Sequence, residues 1–116
     1  MNLEKRLEVR FYKTDSGKEP VRDWLQKLDK SSKKIIGEDV KTVQYGWPMG
    51  MPLVRKLETD LWEVRSNLEN KIARIIFTVV NSTIILLNGF IKKSKKTPKT
   101  DIELARKRLS NLRSKK

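Results

Sequence analysis

The chain contains no cysteine and no histidine. Without cysteine there is neither a disulfide framework nor a thiolate nucleophile, a composition compatible with the cytosol. Without histidine the commonest general base and the commonest zinc ligand are both gone. Acidic residues are scarce, 14 against 27 Lys and Arg, and scattered. A metal site would have to be built from clustered carboxylates alone, and none is expected. Gly17-Lys18 lacks the upstream glycine of a phosphate-binding loop, and there is no Gly-rich dinucleotide fingerprint, so no cofactor is expected. Ser66, Ser82 and Ser94 have no histidine to activate them. The longest aliphatic run, Ile84 to Leu87, is far too short to cross a bilayer. Met1-Asn2-Leu3-Glu4-Lys5 lacks the apolar core of a signal peptide. The expectation is a cytoplasmic protein without membrane attachment.

What is present is positive charge. The chain has 116 residues, 37% hydrophobic and 35% charged, with a formal net charge of +13. That length fits one domain, residues 1–116, and the apolar fraction suffices for a modest core. From Asn88 to Lys116 eleven Lys or Arg face two acids, Asp101 and Glu103. Either this segment is a solvated tail, or it is a phosphate-binding surface whose cations release counterions from a polyanion. Nucleic acid, an anionic membrane and an acidic protein are the partner classes such a field attracts.

Leu7 to Tyr12 alternates before a turn signal at Asp15-Ser16-Gly17 and reads as a strand. Pro20 suits a first helical turn, and Val21, Trp24, Leu25 and Leu28 follow at helical spacing. Asp29 to Ser32 breaks that helix and can cap the next, which carries Ile36, Val40 and Val43 and stops at Gly46. In the loop from Gly46 to Pro52, Trp47, Met49 and Met51 either cover an edge of the core or form a partner or base-stacking surface. Val54 to Leu57, Leu61 to Arg65, Ile72 to Val80 and Thr83 to Lys92 read as strands, with turns at Asn67–Asn70 and Asn81-Ser82. Past a polar hinge at Ser94 to Lys99, Thr100 and Glu103 match a capping box. Ile102, Ala105, Leu109 and Leu112 line one face of a last helix, about residues 100–115. No internal repeat is present. The order predicts an α+β fold: an antiparallel sheet of about four to five strands packed on two N-terminal helices, plus a C-terminal helix. It puts basic side chains on the sheet face that the helices leave open.

Candidates for chemistry are Lys, Arg and one Glu on neighbouring strands: Lys56, Glu63, Arg65, Arg74, Lys92 and Lys93. Glu63 and Arg65 share a face. If Asn67 to Asn70 is a four-residue loop, Glu63 lies opposite Arg74. That pair is then either a cross-strand ion pair or a carboxylate that orients an arginine at a phosphate. A two-residue loop at Asn81-Ser82 puts Lys93 on the Arg74 face; a three-residue loop ending at Thr83 puts Lys92 there.

Lys56-Leu57, Leu61-Trp62-Glu63-Val64-Arg65, Ala73-Arg74-Ile75-Ile76-Phe77 and Leu86-Leu87-Asn88-Gly89-Phe90-Ile91-Lys92-Lys93-Ser94-Lys95-Lys96-Thr97-Pro98 closely resemble the phage-derived HigB-like toxins of the RelE superfamily, over about Val9 to Leu109. The resemblance implies a RelE-like fold and a metal-independent endoribonuclease that cuts messenger RNA in the ribosomal A site and so inhibits translation. It also implies a helix-turn-helix antitoxin of the HigA-like kind, with DNA bound only through the complex. Arg65 and Arg74 fall where the family has phosphate-binding arginines, and Lys92 and Lys93 in its basic strand end. Asn88 stands where many members have His.

For cleavage through the 2′-hydroxyl, clustered cations stabilise the crowded phosphate. Arginine stays charged and serves as a clamp, here Arg65 and Arg74. A lysine among cations can transfer protons, here Lys92 or Lys93. Glu63 orients Arg74 or assists as base. Lys56, Asn88, Phe90, Lys95 and Lys96 are expected RNA contacts. Three alternatives share the composition. A plain nucleic-acid-binding module would stack bases on Trp47, Phe90 or Tyr45. A degenerate toxin would only bind an antitoxin-like partner. A membrane-surface protein would use the basic last helix.

Overall fold

The structure is a computed structural model, and it describes residues 7–92 and 96–115. Its elements run in the order β1 (Glu8–Phe11), α1 (Pro20–Gln26), α2 (Lys30–Gly46), β2 (Val54–Glu58), β3 (Leu61–Leu68), β4 (Lys71–Val80), β5 (Thr83–Lys92) and α3 (Lys99–Ser114). The five strands form one sheet in the order β1-β5-β4-β3-β2. The fold class is α+β, but the sheet is mixed rather than antiparallel. β1 lies parallel to β5, with Val9 beside Ile84. β1 thus lies at the edge of the sheet opposite β2, with the two helices connecting the edges.

Alternation along β3 to β5 gives the sheet two apolar faces. Val64, Ala73, Ile75, Phe77 and Leu86 pack with Val21, Ile36 and Val43 of α1 and α2. Leu61, Ile76 and Leu87 face the other way and pack with Tyr12 and with Ala105 and Leu109 of α3. The second face is therefore not left open: α3 covers part of it. Burial of this apolar surface, at roughly 25 cal/mol per Å², is what holds the layers together.

α2 starts as expected, because Asp29 accepts the Ser32 backbone N–H as N-cap. The capping box at Thr100 and Glu103 does not form. Pro98 is the N-cap of α3, at φ −62°, and its carbonyl already accepts the Asp101 and Ile102 N–H groups. The helix thus begins before Thr100, which becomes part of the first turn.

Three tight packings fix the rest. Trp47 meets the edge of Trp62 with centroids 4.9 Å apart and of Phe77 at 5.5 Å. Trp47 and Met49 pack against the core, whereas Met51 is exposed. Gly89 lies under Trp24 of α1; a β-carbon there would sit 2.5 Å from the indole. Arg108 of α3 donates to the Leu87 carbonyl at 2.8 Å and lies over the Tyr12 ring.

Candidate nucleic-acid interface and active site

Two turns decide which side chains meet. The β3–β4 turn is Glu69-Asn70, not Asn67 to Asn70: β3 runs on to Leu68, which pairs with Lys71, and Asn70 takes φ +64°. The register therefore moves by two residues. Arg65, not Glu63, stands opposite Arg74, and Glu63 stands opposite Ile76. Asn can adopt the left-handed conformation that ends a tight turn, so two more residues join the ladder.

The β4–β5 turn is the two-residue Asn81-Ser82, both at positive φ, with Val80 paired to Thr83. Alone it would put Lys93 on the Arg74 face. A bulge on β5 at Leu87 intervenes: Phe77 pairs with Leu86 but Ile76 with Asn88. The extra residue shifts the register by one. Arg74 then pairs with Phe90, and Ile72 with Lys92, which brings Lys92 to the Arg74 face. Lys93 and Lys95 lie outside the described residues.

The result is a small polar cluster in an apolar sheet. Glu63 and Arg74 are wholly buried. The Arg65 side chain is 17% exposed. Glu63 Oε1 lies 3.8 Å from Arg65 Nε, and Glu63 Oε2 lies 3.9 Å from Arg74 Nη1. Thr97, on the segment leading into α3, bridges the second pair. Its hydroxyl donates to Glu63 Oε2 at 2.6 Å and accepts from Arg74 Nη1 at 3.4 Å. Glu63 Oε1 and Arg65 Nε are buried without a hydrogen bond. Burial pushes the Arg74 guanidinium below the usual arginine range; Glu63 opposes that, while Arg65 and Arg55 add to it. The group stays charged.

The remaining candidates separate. Lys56 pairs with Trp62, so it shares the α2 face and leaves the cluster. Its neighbour Arg55, which was not among the candidates read from the sequence, pairs with Glu63 and is exposed. The signal for Arg55 was available: in an alternating strand, correct pairing of β2 with β3 selects one of two adjacent basic residues. Asn88 is buried and donates to Asp101 Oδ1 at 3.1 Å, so it ties β5 to α3. Phe90 is half-buried and packs against the α3 cluster. Tyr45, exposed and 6.0 Å from Lys41 Nζ, lies on α2. Lys96 is exposed. Thr97 was the other residue missed; only its place in the fold reveals it.

Beyond α3, the sheet face therefore presents Arg55, Arg65 and Lys92 at its surface, with Arg74 and Glu63 beneath. Two ion pairs fasten α3 beside them. Arg106 grips Glu58 with two hydrogen bonds of 2.8 and 2.7 Å, and Arg113 donates to Asp60 at 2.5 Å. Among the described residues no three acidic side chains cluster closely enough to hold a metal ion, and no helix is long and apolar enough to cross a membrane.

The family model described as Phage derived protein Gp49-like (DUF891) matches residues 23–110. The match spans every strand but β1 and includes the whole cluster around Glu63. No curated protein matches the chain.

Proposed function

The chain belongs to the phage-derived Gp49-like family, and on that premise we propose that it is a HigB-like toxin of the RelE superfamily, an endoribonuclease that cuts messenger RNA on the ribosome. Its partner in this reading is a helix-turn-helix antitoxin. The observation that carries the proposal is one buried carboxylate, Glu63, held between Arg65 and Arg74, on a sheet face whose uncovered end is basic. The family's association with toxin-like proteins and the motif blocks within the matched residues support the same reading.

In the proposed reaction the 2′-oxygen attacks the adjacent phosphorus as its proton leaves. The bond from phosphorus to the 5′-oxygen breaks, and that oxygen takes up a proton. A 2′,3′-cyclic phosphate and a 5′-hydroxyl result. Arg65 meets the phosphate, and Arg74 adds positive field from the dry layer below, where charge is weakly screened. Glu63 orients both guanidinium groups. Lys92 transfers the proton, with Lys93 the alternative. Arg55, rather than Lys56, contacts the RNA backbone.

The end chemistry tests this. Fragments from ribosomes programmed with a defined message should accept a 5′-phosphate from a kinase without prior dephosphorylation, and their 3′ ends should resist ligation until the cyclic phosphate is opened and the resulting monophosphate removed. Fragments with 5′-phosphate ends would refute the scheme. Retained cleavage after Lys92→Met and Lys93→Met together would refute the lysine assignment.

A second reading, a non-catalytic toxin fold that only binds RNA or an antitoxin-like partner, is favoured by one observation. Asn88, where many members of the resembling toxin family have His, is buried and engaged with Asp101. Such a protein would bind and never cut.

A further inference from the structure

We propose that Thr97 is a positioning residue for the Glu63–Arg74 pair, an inference that rests on the endoribonuclease reading. The carboxylate and the guanidinium do not meet at hydrogen-bond distance; their closest approach is 3.9 Å. The Thr97 hydroxyl lies between them, donating at 2.6 Å and accepting at 3.4 Å. A hydroxyl suits this place because it donates and accepts at once. It satisfies one oxygen of a fully buried carboxylate, a group that is costly to leave without a donor. It also sets the direction of the other oxygen, Oε1, which points toward Arg65.

Thr97 is itself held from a rigid element. Pro98 caps α3, Asp101 is bound to Asn88 of β5, and Arg106 is clamped to Glu58. The start of α3 thus carries the hydroxyl to a fixed point under the sheet face, the arrangement by which a supporting shell holds reacting groups in register. Through Glu63, Thr97 fixes where the Arg65 charge stands when a phosphate arrives.

Thr97→Val keeps the shape and removes both hydrogen bonds; Thr97→Ser keeps them. With full-length protein on programmed ribosomes, Thr97→Val should lower kcat roughly tenfold, the factor that one hydrogen bond to a charged group corresponds to, with KM for the ribosome complex unchanged. Thr97→Ser should recover most of the rate. An equal loss in both variants, a change in KM alone, or no change would overturn the proposal. A second readout needs no activity. The 13C resonance of the Glu63 carboxylate carbon should move in Thr97→Val and return in Thr97→Ser. An unmoved resonance in Thr97→Val would also overturn it. Wild-type protein that cuts nothing would sink the endoribonuclease reading, and the carboxylate resonance would still decide the role of Thr97.

Discussion

Arg65 and Arg74 stand directly opposite one another on adjacent strands, two like charges in a position where repulsion destabilises a sheet. Glu63, two residues before Arg65, holds them there. It reaches one guanidinium with each carboxylate oxygen, at 3.8 and 3.9 Å. The cluster carries a net positive charge in a dry layer, which suits a site for an anion better than it suits stability.

Unequal mutational costs follow from that arrangement. Arg65→Met removes one of the two repelling cations and a buried Nε that makes no hydrogen bond. It should alter unfolding free energy by less than about 1 kcal/mol. Glu63→Ala removes the carboxylate of a buried ion pair and should cost about 3–5 kcal/mol. The double variant Glu63→Leu/Arg74→Met should regain most of that stability, because apolar residues of similar volume replace the buried charges. Urea denaturation of the four proteins measures all three effects.

The approach of Trp24 to Gly89 sets a second expectation. A methyl group on residue 89 would meet the indole ring at 2.5 Å, and α1 would have to lift. Gly89→Ala should therefore destabilise the fold by about 1–3 kcal/mol, the usual cost of overpacking. Trp24→Leu in the same chain should relieve part of it. Stability of Gly89→Ala equal to wild type in a denaturant titration would contradict the packing described.

Acid should act through the α2 cap. Hydrogen bonds from the Ser32 and Ser31 hydroxyls and the Ser32 N–H hold the Asp29 carboxyl far below its ordinary value of 3.8. A depressed folded-state value means that the contribution is fully present above about pH 4 and is lost as pH falls toward the folded value. Asparagine caps helices as well but does not titrate. Asp29→Asn should be less stable than wild type at neutral pH, and the gap should close as pH falls below about 4. Asp15 and Glu58, also lowered by Lys115 and Arg106 respectively, act equally in both proteins and drop out of the comparison. A gap that stays constant in urea midpoints between neutral and acid pH would contradict this.

The choice between Arg55 and Lys56 is testable by salt. Arg55 pairs with Glu63 and Lys56 with Trp62, so only Arg55 belongs to the proposed RNA face. Arg55→Ala should weaken binding of single-stranded RNA. It should also reduce the slope of log K against log salt by about 0.7, the value for one phosphate neutralised on a single strand. Lys56→Ala should leave the slope nearly unchanged. The reverse result would reassign the edge strand.

Much of the fold was legible in local pattern. The order of helices and strands, the apolar face of α3 and the Asp29 cap follow from periodicity and from side chains that reach only a few residues. The site was less legible, because register is not local. Whether Glu63 or Arg65 faces Arg74 depends on whether Asn67 and Leu68 join the ladder. Whether Lys92 or Lys93 joins them depends on a bulge at Leu87 that no residue type announces. Both are small shifts that redirect whole rows of side chains. The parallel pairing of β1 and the cover that α3 gives to the second face are tertiary choices between layers. Thr97 came from the same source: a threonine before a proline reads as a hinge until the helix after it is placed.

The proposed ribonuclease activity is best tested in a cell-free translation reaction with purified protein, followed by primer extension on the message. Ribosome-dependent cuts at codon boundaries are predicted, and they should disappear in Arg65→Ala while that variant keeps its fold. Intact message and normal translation, with the protein folded and in excess over ribosomes, would contradict it.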